Sequence, residues 1–285
     1  MEFSQEIADQ LKTCELPPFP ELTHKIVSLT QDFYADPNEI ADLVKMDMAL
    51  SASVLKIANS VAYGYAGKVS SISEAISRVG ISAMRDLVLS VSLVSKFKSL
   101  NGIDFRQFWV HCLGVALTSD AIQRHAGKRV NTTDHLYTAG LLHKVGILLL
   151  AQNFPEQYQQ VLDEVEKDEK DLWELEKEII GVSHPEASSF VFDHWQFPRE
   201  VSDVALHYND PVNAPNDTRD MIYIVHIANF ACLNQGIGVG IDRFPVSFYD
   251  EAWDSVGLKV EDIPALLKEV LEITDRAKII LDAAT

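Results

Sequence analysis

Cysteine and basic residues are scarce in this chain of 285 residues. The three cysteines, Cys14, Cys112 and Cys232, have no paired spacing, which argues against a disulfide framework and against a cysteine-based zinc site. Lys plus Arg number 24 against 42 Asp plus Glu, so the formal net charge is −18. Because proteins bind the nucleic-acid backbone through basic patches that release counterions, this balance argues against nucleic acid as a partner.

Long hydrophobic runs are also missing. The most apolar stretch, residues 147–151, is far shorter than a membrane span, and residues 1–6 contain no basic segment leading into an apolar one. Hydrophobic residues make up 47% of the chain and charged residues 23%, as in ordinary folded proteins. We therefore expect a folded cytoplasmic protein in a reducing compartment, without membrane association.

Period-two alternation, which is typical of half-buried strands, is almost absent, and apolar residues recur at three- and four-residue intervals instead. This periodicity predicts an all-α fold. Asp36, Ser71 and Asp104 stand where helix-capping residues are expected. The acidic run 163–178 is interpreted as a solvated helix face. Helices are predicted near residues 22–33, 37–45, 71–80, 82–97, 105–126, 134–152, 155–167, 171–180, 185–195, 198–208, 218–234 and 261–283.

Three common active-site motifs are missing: the chain has no Gly-x-Ser-x-Gly elbow, no Walker loop and no His-Glu-x-x-His helix, and no cysteine has the sequence context of a nucleophile. The glycine run 236–240 follows a predicted helix rather than a strand, so it predicts a connector and not a dinucleotide loop. Histidine is more informative, because eight of the nine histidines lie beyond residue 100. His111 and His143 occupy apolar helical runs, where a buried imidazole needs a partner. His184 and His207 stand next to predicted helix boundaries, where side chains can converge on a cleft.

Several spaced motifs resemble those of HDOD domains, a bacterial group related to the HD phosphohydrolases. They are Leu16-Pro17-Pro18, Asp47-Met48-Ala49-Leu50, Ala58-Asn59-Ser60, Tyr63-Gly64, Leu141-Leu142-His143, Gly181-Val182-Ser183-His184 and Trp195-Gln196-Phe197-Pro198. The resemblance implies a multi-helical HD-like fold with an N-terminal helical subdomain. It divides the chain into an N-terminal helical part (1–100), an HD-like part (101–235) and a C-terminal helical extension packed on it (236–285).

In active HD enzymes the metal ligands are a first His, an adjacent His-Asp pair and a distant Asp, and some subgroups add further histidines. The resemblance places the first His at His111 and the pair at His143 and Lys144, which follow each other on one predicted helix. The distant Asp falls on Asn229, so both carboxylate positions are lost. The supplementary positions complete the vestigial site, which comprises His111, His143, Lys144, His184, His207 and Asn229.

Elementary coordination chemistry makes these two replacements serious. Lysine carries a positive charge and no acceptor, so Lys144 repels a divalent cation instead of binding it. Asn229 offers only a neutral carbonyl oxygen. We therefore expect no metal, no other cofactor and no catalytic residue at this site. The Lys144 ammonium is expected to take over the electrostatic role of the cation, by reaching a carbonyl or carboxylate or the cleft rim; the alternative is a solvated lysine.

Three functions fit these observations. The leading hypothesis is a catalytically inactive signalling or regulatory module that binds other signalling proteins, or a ligand, as the HDOD resemblance implies. The second is a metal-dependent phosphohydrolase of nucleotides or cyclic dinucleotides, in which the four histidines keep a divergent metal site. The third is a small-molecule sensor whose former catalytic cleft binds an anion through Lys144. The residues do not indicate the oligomeric state.

Overall fold

The computed structural model of the chain describes residues 11–15, 19–30, 35–60, 68–96, 100, 102–126, 135–165, 167, 170–238, 241 and 248–285. Within these ranges the regular structure is helical and no strand forms, so the all-α prediction is confirmed. The expected motifs at residues 16–18 and 63–64, and residues 239–240 of the glycine run, lie outside the described residues. None of the described helices has both the length and the apolar character that a bilayer crossing requires.

The chain divides into two compact units by its internal contacts. One unit comprises residues 17–98 and 272–285, and the other comprises residues 1–16 and 99–271. In this division residues 236–271 group with the preceding helices, whereas 272–285 group with residues 17–98. The three-part division expected from the sequence, into residues 1–100, 101–235 and 236–285, stays a prediction.

The unit of residues 17–98 is built from short capped helices. These are α1 (Glu21–Thr30), α2 (Pro37–Lys45), α3 (Met48–Ala58), α4 (Ile72–Val79) and α5 (Ile81–Lys96). The carboxylates of Asp36 and Asp47 accept the backbone N–H groups that begin α2 and α3, and the Ser71 hydroxyl does so for α4. Gly80 ends α4 at φ 88°, a conformation that favours glycine. Helix α3 was not predicted from the sequence, because its apolar residues are not confined to one face.

The other unit surrounds one long buried helix, α6 (Phe105–His125), which Asp104 caps through the N–H of Gln107. The following helices are α7 (Leu136–Leu142), α8 (Val145–Asn153), α9 (Pro155–Val165), α10 (Leu172–Ile179), α11 (His184–His194), α12 (Arg199–His207), α13 (Arg219–Asn234), α14 (Asp250–Val256) and α15 (Ile263–Ala284). Single 3₁₀ turns occupy Pro211–Asn213 and Val260–Asp262, and α14 was not predicted. The last helix extends into the residues that group with the first unit.

The single helix predicted over residues 134–152 is wrong. The structure has two helices there, α7 and α8, with His143 and Lys144 in the turn between them. The break lets α8 start against α11, where the N–H of Gly146 donates to Ser188 Oγ at 2.8 Å. A Cβ at Gly146 would lie 2.1 Å from the His184 carbonyl oxygen, so the approach requires glycine. His143 and Lys144 are therefore placed by a turn and not by a shared helix.

Candidate functional site

Three polar side chains meet inside the unit that surrounds α6, which we call the α6 unit. His111 comes from α6, Asn229 from α13, and Lys144 from the turn between α7 and α8. Lys144 Nζ lies 3.0 Å from His111 Nε2 and 3.1 Å from Asn229 Oδ1, and these two acceptors are 3.0 Å apart. All three side chains are buried, with Lys144 only 2% exposed. We call this arrangement the lysine triangle.

The protons of the lysine triangle follow from its neighbours. His111 Nδ1 lies 3.1 Å from the Ile237 carbonyl oxygen, which can only accept, so Nδ1 carries the proton. In the neutral ring Nε2 is then an acceptor, and Lys144 donates to it and to Asn229 Oδ1. The ammonium is thus held by a ring nitrogen and an amide oxygen, as a small cation would be. The prediction that Lys144 reaches an internal acceptor is confirmed, and the alternative of a solvated lysine is wrong.

His143 lies beside the triangle as a neutral imidazole. Its Nδ1 donates to the Gly140 carbonyl oxygen at 2.7 Å, so its Nε2 is an acceptor. Burial first, and then the positive charge of Lys144, hold the pKa of His143 well below its ordinary value. Hydrogen bonds to the Gly140 carbonyl and to the Asn229 side chain oppose this lowering of the His143 pKa without reversing it. A proton on His143 would add positive charge next to a buried ammonium.

His184 forms a second buried cluster with Glu176, Tyr158 and Tyr208. This His184 cluster reaches the triangle through Tyr208. Its Nδ1 lies 2.6 Å from Glu176 Oε2 and its Nε2 lies 2.6 Å from the Tyr208 hydroxyl. The other oxygen of Glu176 accepts from the Tyr158 hydroxyl at 2.9 Å. The ring of Tyr208 lies 5.9 Å from Lys144 Nζ and packs edge-on against His143. An aromatic ring therefore separates the buried ammonium from the buried carboxylate.

Glu176 and Tyr208 are the site residues that the sequence analysis missed. Glu176 was assigned to a solvated acidic face, whereas the structure buries it completely. It is the only buried carboxylate in the described part of the chain. A signal existed, because Leu172, Glu176 and Ile180 recur at four-residue spacing and share one helix face. Glu176 therefore belongs to the buried face of α10.

His207 lies in the wall of a cleft whose lining includes none of the triangle residues. It is 7% exposed, and its Nε2 has no partner among the described residues. Burial lowers the pKa of His207, while the carboxylates of Asp203 and Asp210 partly oppose that shift. The structure thus gathers His111, His143, Lys144 and Asn229, joins His184 to them through Tyr208, and places His207 on the cleft.

The donor set does not fit a divalent metal ion. His111 Nε2 already accepts from the Lys144 ammonium, and a cation on that nitrogen would lie close to a positive charge. The one oxygen atom that the triangle offers as a metal ligand belongs to the neutral amide of Asn229, whereas hard divalent cations favour carboxylates. The described residues contain no group of three or more His, Cys, Asp or Glu side chains that could hold a metal.

The fold and the site place this chain in a known family. The HDOD domain model matches residues 16–211, which is more than half of the chain. The chain belongs to the HDOD domain family, as the spaced motifs indicated, and its fold is HD-like.

Relatives of known sequence or structure are distant. The crystal structure of an HDOD domain protein of unknown function from Geobacter sulfurreducens has a TM-score of 0.82 and 24% identity, covering 96% of this chain and 98% of that one. A Marinobacter aquaeolei VT8 protein, provisionally named for signal transduction, has a TM-score of 0.77 and 24% identity, covering 99% of this chain and 61% of that one. An uncharacterized protein of Treponema pallidum (strain Nichols) is 25% identical over 224 residues, which are 78% of this chain but 43% of the relative.

Proposed function

We propose that this chain is a regulatory HDOD module without hydrolytic activity, which acts by binding other signalling proteins or a ligand. The observation that carries the proposal is the Lys144 ammonium, held 3.0 Å from His111 Nε2 and 3.1 Å from Asn229 Oδ1. Membership of the HDOD family supports the regulatory part, as does a fold shared with a protein that bears a signal-transduction name.

The chemistry of phosphate-ester hydrolysis supports the inactive part of the proposal. HD-type hydrolysis needs a cation that polarises the phosphoryl group and generates hydroxide near neutral pH. An ammonium can do neither, because it has no vacant coordination position for a phosphoryl oxygen or a water, and here it donates to His111 and Asn229. The centre is therefore suited to holding α6, α13 and the turn between α7 and α8 together rather than to turnover.

A metal and turnover assay tests the inactive part directly. Protein purified without chelators or a metal-affinity tag should hold well under one equivalent of Mn, Fe, Ni, Zn or Mg, and should hydrolyse nucleotides and cyclic dinucleotides no faster than background. Stoichiometric metal, with turnover abolished by His143→Ala, would instead establish the metal-dependent phosphohydrolase.

Reversion of the two lost carboxylates tests whether the ligand positions have been placed correctly. The double variant Lys144→Asp with Asn229→Asp puts two anionic oxygens beside His111 and His143, so calorimetric titration with Mn²⁺ should show binding. Neither single variant should bind Mn²⁺, because each introduces only one carboxylate. The matched control adds His143→Ala to the double variant, which should weaken Mn²⁺ binding. If the double variant has a native-like melting transition but no Mn²⁺ binding, the assignment of these four positions is wrong.

A further inference from the structure

A cleft lies on the α6 unit at the outer end of the His184 cluster. It has a volume of about 280 Å³ and is formed by α10, the start of α11 and the segment from the end of α12 to the 3₁₀ turn at Pro211–Asn213. Its polar and aromatic lining includes Trp173, Lys177, Glu186, His207, Asn209 and Asp210. We call it the His207 cleft. Its volume lies at the lower limit for ligand pockets, so it suits a small molecule.

Two buried polar atoms of the cleft residues need partners. Neither His207 Nε2 nor Asn209 Oδ1 has a hydrogen-bond partner among the described residues. Buried polar atoms are rarely left without a partner, so such atoms at a cleft indicate a bound molecule or water. Asn209 Oδ1 is an acceptor, and His207 Nε2 can donate or accept according to its tautomer. A molecule bound here therefore has to supply at least one N–H or O–H donor.

The charges of the lining favour a cation. The ammonium of Lys177, the one cation in the described lining, lies 3.0 Å from Glu186 Oε1 and is neutralised by it. The other oxygen of Glu186 accepts from the backbone N–H and the hydroxyl of Ser183. Asp210 is exposed at the rim, which leaves one net negative charge. Trp173 adds an aromatic ring, on whose face an organic cation is stabilised.

The cleft also contacts the buried centre through one residue. Asn209 Nδ2 lies 3.5 Å from His184 Nε2, the atom that also meets the Tyr208 hydroxyl at 2.6 Å. The ring of Tyr208 in turn packs against His143. A molecule that hydrogen-bonds to the Asn209 amide therefore contacts a side chain that also contacts His184. His184 in turn is linked to the lysine triangle through Tyr208.

We propose that the His207 cleft binds a small organic cation with N–H donors, of the primary amine or guanidinium class. The N–H groups are bound by Asn209 and His207, and the positive charge is balanced by Asp210 at the rim. This deepens the proposed regulatory function and rests on it in one respect, namely that binding occurs without turnover. It differs from an anion site at Lys144, because Lys144 lies in the interior and its ammonium is already bound by His111 and Asn229.

Agmatine, which carries both an amine and a guanidinium group, is the probe for this proposal. Calorimetric titration of the full chain with agmatine should give saturable binding at one site, and agmatine should raise the melting temperature. Asp210→Asn should weaken binding about fivefold, the effect of losing one exposed charge pair of about 1 kcal/mol. Asn209→Leu should weaken it further, because the acceptor is replaced by an apolar group.

The matched control is Asp254→Asn on α14, which removes an exposed carboxylate outside the cleft. This control should leave agmatine binding unchanged. Equal weakening by Asp210→Asn and Asp254→Asn would overturn the proposal, since it would mean general attraction to a chain of net charge −18. If agmatine binding does not saturate by about 10 mM, the dissociation constant is too high for a specific site, and this result would also overturn the proposal. So would a titration in which inorganic phosphate binds and agmatine does not.

The failure of this proposal is distinguishable from the failure of the proposed function. Agmatine titration reports on the His207 cleft, whereas metal content and turnover report on the lysine triangle. Metal-free protein that does not bind agmatine overturns only the cleft assignment. Protein that binds agmatine at Asp210 but also hydrolyses nucleotides overturns the inactive module and leaves the cleft in place.

Discussion

Replacement of Lys144 by methionine tests the lysine triangle most directly. Methionine retains an unbranched side chain but removes the ammonium that donates to His111 Nε2 and Asn229 Oδ1. Both of these groups stay buried in the folded protein, so water cannot easily take the place of the ammonium. The variant therefore measures the balance between the value of the two hydrogen bonds and the cost of burying a charge.

The expected magnitude follows from these two opposing effects. Two hydrogen bonds from a charged donor are worth about 1.5–3 kcal/mol each, so their loss costs about 3–6 kcal/mol. Methionine avoids the dehydration of a buried ammonium, which offsets part of that loss by up to several kcal/mol. We expect Lys144→Met to lower the free energy of unfolding by about 2–4 kcal/mol.

Urea unfolding followed by far-ultraviolet circular dichroism measures this loss. The denaturant midpoint should fall while the slope stays constant, because the folded surface is unchanged. Lys170→Met is the matched control in the same unit, since the exposed ammonium of Lys170 lies 2.9 Å from Glu178. Such a surface pair is worth less than about 1 kcal/mol.

Two results would refute this reasoning. If Lys144→Met unfolds at the same or a higher urea concentration than the wild type, the cost of burying the ammonium exceeds the value of its hydrogen bonds. The second concerns the double variant Lys144→Met with Asn229→Leu, which removes donor and acceptor together and should lose less stability than the sum of the two single variants. Strict additivity would mean that these two residues do not interact.

Three further predictions concern pH and backbone contact. Burial, and after it the positive charge of Lys144, hold the pKa of His143 well below 6.5, so only the unfolded chain takes up this proton as the pH falls through 6.5. The free energy of unfolding should therefore fall from pH 7 to pH 5, and His143→Gln should reduce this slope by about one proton. Burial raises the pKa of Glu269, but the hydrogen bond and charge of Arg124 and of the adjacent histidine outweigh burial and lower it below 4.5. Glu269→Gln should hence be less stable than the wild type at about pH 7, and urea titrations at lower pH should show this difference shrinking as the pH falls below 4.5. A Cβ at Gly146 would lie 2.1 Å from a backbone oxygen, whereas a Cβ at Gly114 would lie 2.8 Å from a side chain that can move. Calorimetry should therefore show a much larger fall in melting temperature for Gly146→Ala than for Gly114→Ala.

Local sequence signals predicted helix ends better than helix interruptions. Asp36 and Ser71 cap the helices for which they were proposed, because a capping side chain acts within three residues of itself. The break at His143 and Lys144 left no such signal, since the surrounding residues are apolar on every side. That break depends on Gly146 meeting the backbone of α11, which is almost forty residues further along the chain. Periodicity alone cannot detect a contact of this kind.

The candidate site shows the same division between local and long-range information. The residue types at His111, Lys144 and Asn229 already argued against a metal, because charge and donor chemistry belong to the side chain itself. Their convergence on one ammonium could not be calculated from the sequence, since three elements had to pack before the distances near 3 Å existed. Glu176 was misassigned for a related reason, as an acidic run predicts solvent exposure unless a buried partner such as His184 is known.

The amino-acid sequence by itself determined the helical class of this protein, most of its helix ends and the residue types, lysine and asparagine, at positions 144 and 229. These properties depend on residue type and on spacing within a few turns of helix. Only the tertiary structure decided that Lys144 points inward, that Glu176 is buried with His184, and that His207 lies on a separate cleft. The physical reason is that burial and hydrogen-bond partners are properties of packed helices, and packing brings together residues that the chain separates.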